Sequence, residues 1–244
     1  MEYNPWLSIA TATLEIGAGI WTLRGAGRKT ILHATAAILF LLAGYQIIEA
    51  VLCTGLLTVS ESLLGRLAFV VVAWLPPTGL LLLARLSPWQ KSFLRGYAYA
   101  MYLVCAALVL GIVLDPNFVT ASVCLVVFAR YTNPTPLYQA YGLFYQSSLF
   151  GLLIFSALAT IAAEDRSSRR LLGQLLLGSI SFIFPSMVVV SAFPIAEDAL
   201  PSIMCHFALF LAFFLIKLVA VERESIQKET SDTLPEALSW RITV

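Results

Sequence analysis

Seven apolar stretches, each close to the length that one crossing of a bilayer demands, leave this chain little freedom of fold class. They run from Leu7 to Leu23, Ile31 to Leu56, Leu67 to Ala84, Gly96 to Leu114, Tyr138 to Ala162, Leu171 to Phe193 and Pro201 to Val221. A helix rises ~1.5 Å per residue and the hydrocarbon layer is ~30 Å thick, so about 20 residues span it and ~17 suffice. With 59% of 244 residues hydrophobic and 12% charged, a soluble core of this size would lack the polar residues to cover it. The expected fold is all-α: a polytopic bundle of seven transmembrane helices over residues 1–221. A flexible cytoplasmic tail over 222–244, polar and punctuated by Pro235, is expected to follow.

Basic residues orient the bundle, because they are retained on the cytoplasmic side during insertion. Arg24, Arg28 and Lys29 follow the first stretch; Arg85, Lys91 and Arg95 the third; Arg166, Arg169 and Arg170 the fifth; Lys217, Arg223, Lys228 and Arg241 close the chain. Of the 15 Lys and Arg residues only Arg66 and Arg130 lie on the other set of connections. The N-terminus is therefore expected outside and the C-terminus in the cytoplasm, in a bacterial inner membrane. No basic run precedes the first stretch, so it is expected to be a retained helix and not a cleaved signal. A net charge of +1 without a basic, aromatic-interleaved stripe excludes nucleic acid as a partner. The expected partners are the lipid bilayer and a cytoplasmic signalling protein; oligomeric state is not encoded in any pattern.

The four cysteines form no C-x-x-C pair, which argues against a structural zinc site or a redox motif. Cys105 reads as a small apolar filler. Cys53, Cys124 and Cys205 all fall in the outer half, which leaves room for one disulfide between the long outer connection and a helix end. That connection, residues 115–137, contains the Val-, Thr- and Phe-rich run Phe118 to Tyr131, too short for a crossing and closed by Asn133, Pro134 and Pro136. A strand or small hairpin capping the outer mouth is one reading; an irregular interfacial loop is the other.

Charges within the hydrocarbon are costly unless paired, protonated or wet, so they are where function is sought. Glu15 lies eight residues past Leu7 and Glu49 seven before Leu56, each ~10–12 Å below the outer surface. Gln46 and Tyr45 share the face of Glu49 at helical spacing. His206 sits beside Cys205 early in the last stretch, and Tyr141, Tyr145 and Gln146 line the outer half of the fifth. The candidate ligand-binding set is thus Glu15, Gln46, Glu49, Tyr145, Gln146 and His206, imagined around an outward-facing polar pocket. Glu15, Glu49 and His206 are also the candidate metal ligands, carboxylate and imidazole both being suited to transition metals. Interhelical hydrogen bonding explains the same residues without a site. Lys217 invites a Schiff-base reading, but its closeness to Glu222 and Arg223 favours snorkelling to the interface. Pro76 and Pro77 in the third stretch, and Pro185 in the sixth, are candidate hinges.

The motifs Gln46-Ile-Ile-Glu49, Trp74 to Pro77, Val119-Thr-Ala, Ala129-Arg-Tyr131 and Ser202-Ile-Met-Cys-His-Phe-Ala208 occur in an order that resembles an uncharacterised family of small seven-helix bacterial membrane proteins. Its members typically open Met-Cys-Phe-Ser-Ala, where this chain has Met1-Glu-Tyr-Asn-Pro-Trp6. More distantly the chain is similar to the seven-helix sensor region of bacterial histidine kinases. Neither resemblance implies a catalytic residue or a cofactor. Three functions are compatible with these features. The first is a ligand-sensing or accessory signalling module with no catalytic role. The second is an intramembrane enzyme using Glu15, Glu49 and His206, with or without a metal. The third is a small-solute transporter of three-plus-one-plus-three layout.

Overall fold

The computed structural model describes residues 4–56, 60–125, 129–192 and 199–239, with 190, 201 and 229–239 as backbone alone. It is built from α1 (Pro5–Leu23), α2 (Lys29–Thr54), α3 (Glu61–Ala73), α4 (Leu75–Leu86), α5 (Lys91–Leu114), β1 (Ala121–Cys124), β2 (Ala129–Thr132), α6 (Pro136–Ala162), α7 (Arg166–Ala192) and α8 (Leu200–Ser239). Six stretches among the described residues are long and apolar enough to cross a membrane: Lys29–Thr54, Glu61–Leu86, Lys91–Leu114, Pro136–Ala162, Arg166–Val189 and Ser202–Lys228. The chain is thus built as an all-α, multi-pass membrane protein.

Helix α1 explains why composition alone does not rank it with those six. Its buried positions are Ser8, Thr11, Ala12, Glu15, Gly19 and Thr22, whereas Trp6, Leu14, Trp21 and Leu23 point outward. The polar and small stripe recurs every three to four residues and packs inward against α2 and α8, the reverse of a soluble amphipathic helix. At Gly19 the backbone passes so close to Phe40 that a Cβ would meet its ring at 2.8 Å.

The third apolar stretch is not one helix with prolines at its centre. It breaks at Trp74: α3 ends at Ala73, and Pro76 and Pro77 lie in the first turn of α4, where a missing N–H removes no intrahelical bond. The carbonyls left over find other donors. Trp74 N–H reaches Val72 O, and the Cys105 thiol of α5 donates to Ala73 O at 3.2 Å. Cys105 is therefore more than filler. Pro185, by contrast, lies inside a continuous α7, where Ser186 Oγ donates back to Phe182 O at 2.8 Å.

The long outer connection forms a two-stranded antiparallel hairpin with Ser122 opposite Tyr131 and Cys124 opposite Ala129. Alternation decides its two faces: Ala129 and Tyr131 are buried, Arg130 and Thr132 exposed. Phe69 of α3 is the anchor, meeting Phe118, Tyr131 and Tyr141 edge-on at 5.2–5.3 Å between ring centres. A disulfide joins Cys53, at the end of α2, to Cys124 in β1, with Cα atoms 5.6 Å apart; Cys205 stays a buried free thiol.

At the other end, α8 does not give way to a tail at Glu222 but continues as helix to Ser239. Glu222, only 1% exposed, accepts from Arg28 Nε and Nη2 at 2.7 Å each and from the Arg28 backbone N–H at 3.2 Å. Arg223 donates to Trp21 O at 2.9 Å and lies 3.9 Å over the Trp21 ring, with Gly25 leaving room for its guanidinium. These contacts clamp the α1–α2 connection to α8. Asp165 accepts from Ser168 N–H at the start of α7, and these backbone bonds hold its carboxyl below the usual carboxylate range.

The clamp is asymmetric, since the Arg28 side chain is 51% exposed. Arg28→Met strands a buried carboxylate and is expected to cost about 1–3 kcal/mol after discounting for solvent on the arginine. Glu222→Gln keeps an acceptor and returns Arg28 to water, so it should cost under about 1 kcal/mol. Thermal unfolding in detergent ranks the two, and the reverse order would refute the asymmetry.

Candidate functional site

The half of the bundle that carries the hairpin contains a layer of polar side chains, and the way α1, α2, β2 and α8 meet accounts for each. Tyr45, Gln46 and Glu49 stand at i, i+1 and i+4 on the inward face of α2 and are at most 1% exposed. Gln46 Nε2 donates to Cys205 O of α8 at 2.7 Å, while Gln46 Oε1 has no partner among the described residues. Tyr45 and Tyr131 bring their hydroxyls to 3.4 Å beneath the hairpin. Ser202 accepts from the backbone N–H of Ala129 at 3.1 Å, which fixes β2 against the start of α8. One turn on, His206 Nδ1 lies 2.8 Å from Ser202 O, and its Nε2 has no partner among the described residues.

Glu15 reaches this layer from α1. It is fully buried and neither carboxyl oxygen has a hydrogen-bond partner among the described residues. Glu15 and Glu49 both lie within electrostatic reach of Cys205. The carboxyls therefore converge on the same region of α8, as the antiparallel pairing of the first two helices predicts. Two expectations are corrected. The layer is closed over by the hairpin, so it is a buried layer and not an outward-facing pocket. Nor do Glu15, Glu49 and His206 form a metal-binding group; among the described residues no three His, Cys, Asp or Glu side chains do.

A cleft of about 260 Å³ lies on the flank of this layer, between α6 and the beginning of α8. Its lining includes Gln139, Tyr141, Gly142, Tyr145, Gln146 and Met204. Of the residues singled out from sequence, Tyr145 and Gln146 are here, whereas Glu15, Gln46, Glu49 and His206 are not. Tyr141 and Tyr145, one helical turn apart, stack with ring centres 5.8 Å apart and planes 19° from parallel. Both are buried, and neither hydroxyl has a partner among the described residues. Both also lie within electrostatic reach of Cys205, so the ring pair stands between the cleft and the buried layer. Gln146 is exposed on the cleft side. Sequence reasoning included Tyr145 but not Tyr141 in the candidate set; their i, i+4 spacing was the signal for a paired wall. Lys217 places its ammonium 4.5 Å over the Phe213 ring, a cation–π contact that accounts for it without a cofactor.

Comparison with protein-family models, with curated proteins and with solved structures yields no match.

Gln46 and Glu15 should respond oppositely to apolar replacement. Gln46→Leu removes an interhelical bond and is expected to lower stability by about 1 kcal/mol. Glu15→Met removes a buried polar group that has no bond to lose, and is expected to raise stability by about 1–2 kcal/mol. Chemical or thermal unfolding of the two variants decides; destabilisation by Glu15→Met would mean that Glu15 holds a structural partner.

Proposed function

We propose that the protein is a ligand-sensing or accessory signalling module of the bacterial inner membrane, crossing it seven times with the N-terminus outside and the C-terminus in the cytoplasm. The seventh crossing is α1, whose 19 residues cover ~28 Å and whose Ser8, Thr11, Glu15 and Thr22 face α2 and α8 instead of lipid. The disulfide supports the orientation independently of charge. Cys53 and Cys124 lie on the face opposite the basic connections, and disulfides persist on the oxidising side of a membrane.

The observation that carries the sensing role is the placement of the α6–α8 cleft. Its wall carries Tyr145 and the exposed Gln146, and α8, which forms its other side, runs without interruption to the clamp at Glu222 and Arg223. A ligand that shifts the start of α8 acts on one rigid rod, whose far end holds the α1–α2 connection. Transport and intramembrane catalysis find no comparable support in the geometry.

Two measurements test this reading. Gly142 lies in the cleft and a Cβ there meets nothing within 4 Å, so Gly142→Trp should fill it without displacing a neighbour. Native mass spectrometry should find a small molecule retained by the wild type and lost from Gly142→Trp; identical spectra would end the ligand reading. In intact cells, a membrane-impermeant phosphine reductant should expose Cys53 and Cys124 to an equally impermeant maleimide. Labelling only in inverted vesicles would reverse the topology.

A further inference from the structure

We infer that a second cleft, at the clamp end of the bundle between the first turns of α7 and the later turns of α8, binds a phosphate group through Arg166 and Arg170. The cleft measures about 300 Å³ and reaches Val221 of α8. It lies where two crossings end, since the span of α6 closes at Ala162 and that of α7 opens at Arg166. Arg166 and Arg170 stand one helical turn apart, both exposed and both lining the cleft. Arg169 is not in the lining and donates twice to Ala163 O. Neither Arg166 nor Arg170 has a side-chain hydrogen bond or ion pair among the described residues. Two like charges one turn apart repel, and an anion seated between them removes that cost. One guanidinium fork saturates a carboxylate, whereas a phosphate presents oxygens to two.

The other lining groups set the frame and the charge. Ser167 and Ser225 hold their hydroxyl oxygens 2.7 Å apart, and Ser225 donates onward to Val221 O at 3.0 Å. That chain ties the first turn of α7 to α8, so the arginine wall and Lys228 face the same space on a fixed frame. Two carboxylates also line the cleft, and each has a counterpart of its own. Asp165 accepts from Ser168 N–H at 2.7 Å and caps α7. Glu224 stands one turn before Lys228, the spacing at which a carboxylate offsets an ammonium. The charge left for a ligand is the pair of guanidiniums. A volume of this size holds a phosphate headgroup or a free phosphate but no acyl chain. Basic clefts where helices leave a membrane take the headgroups of anionic lipids, and the ends of α6 and α7 put this one at that level. Glu222 and Arg223 lie on the same stretch of α8 and face the α1–α2 connection, so a bound phosphate sits within about one turn of the clamp.

The test uses the full chain in phosphatidylcholine nanodiscs, in one arm with a minor fraction of dioleoylphosphatidylglycerol and in the other titrated with inorganic phosphate. Native mass spectrometry reads the retained lipid, and isothermal titration calorimetry reads the phosphate. The wild type is expected to retain phosphatidylglycerol, to bind phosphate saturably, or both. Arg166→Gln, Arg170→Gln should weaken that binding at least about tenfold. Arg24→Gln, Lys91→Gln, which removes as much charge from exposed connections at the same end, should keep it. Retention of the lipid alone assigns the headgroup source, and binding of phosphate alone the soluble source; both together support the shared chemistry. Equal loss in the two double variants means diffuse surface charge and overturns the proposal. So does wild-type binding without Arg166 and Arg170, or binding of neither probe. Both arginines are exposed, so their double variant should melt with the wild type. If it fails to insert, Arg170→Gln alone decides, through a loss of about threefold or more. None of these outcomes bears on Gly142→Trp, whose cleft lies at the other end of the bundle.

Discussion

Every unusual local feature of this chain answers one constraint: in hydrocarbon, a backbone or side-chain polar group has no water to fall back on. The break at Trp74 shows the constraint at work. Two consecutive prolines would orphan carbonyls at mid-membrane, so the helix restarts with both in its first turn, and a thiol from the neighbouring helix meets the carbonyl of Ala73. The same logic turns α1 inside out, so that Ser8, Thr11 and Thr22 face helices, the exposed Thr13 returns its hydroxyl to Ile9 O, and the tryptophans and leucines face lipid. The only β-structure among the described residues is the hairpin at the outer end of the bundle, sealed by a disulfide and by an aromatic cluster around Phe69.

Much of the architecture was legible in the sequence because the bilayer enforces a simple code of apolar length and flanking charge. The stretches from Ile31 onward coincide with spans long enough to cross, the third of them made by α3 and α4 together, and the run from Phe118 to Tyr131 contains β1 and all but the last residue of β2. Less legible were features set by contacts between distant elements. Nothing local to Glu222 shows that it will be buried against Arg28, 194 positions away, so a polar tail was the natural expectation. Nothing local to Cys105 points to a carbonyl on another helix. For the same reason the six candidate residues divide between two places, Tyr145 and Gln146 on the cleft and the other four in the polar layer. Depth follows from counting along each helix; which flank a side chain faces depends on how the helices rotate against each other and on where the hairpin lands.

That rotation separates two kinds of polar group. Gln46, Ser202 and His206 meet backbone atoms of neighbouring or preceding turns and hold α2, β2 and α8 in register. Glu15, Tyr141 and Tyr145 return no such bond among the described residues and add desolvation cost instead. Natural sequences break local rules chiefly where function demands it. The costly groups flank α8 on two sides: Glu15 within reach of Cys205 from α1, and the tyrosine pair within reach of Cys205 from α6.

Helix α8 takes part both in the polar layer and in the clamp at the opposite end of the bundle. Its first turns carry Ser202, Cys205 and His206 into the polar layer, and its later turns carry Glu222 and Arg223 into the clamp. A regular helix does not absorb displacement along its axis as a loop does, so a shift of a fraction of an ångström at Cys205 arrives at Glu222 largely intact. At that end a bidentate pair with one solvent-accessible partner can re-form in a new position at low cost, because Arg28 trades carboxylate for water as it moves. A fully buried pair would resist such movement. The half-exposed arginine thus makes the clamp firm enough to define one position and loose enough to yield to a small displacement.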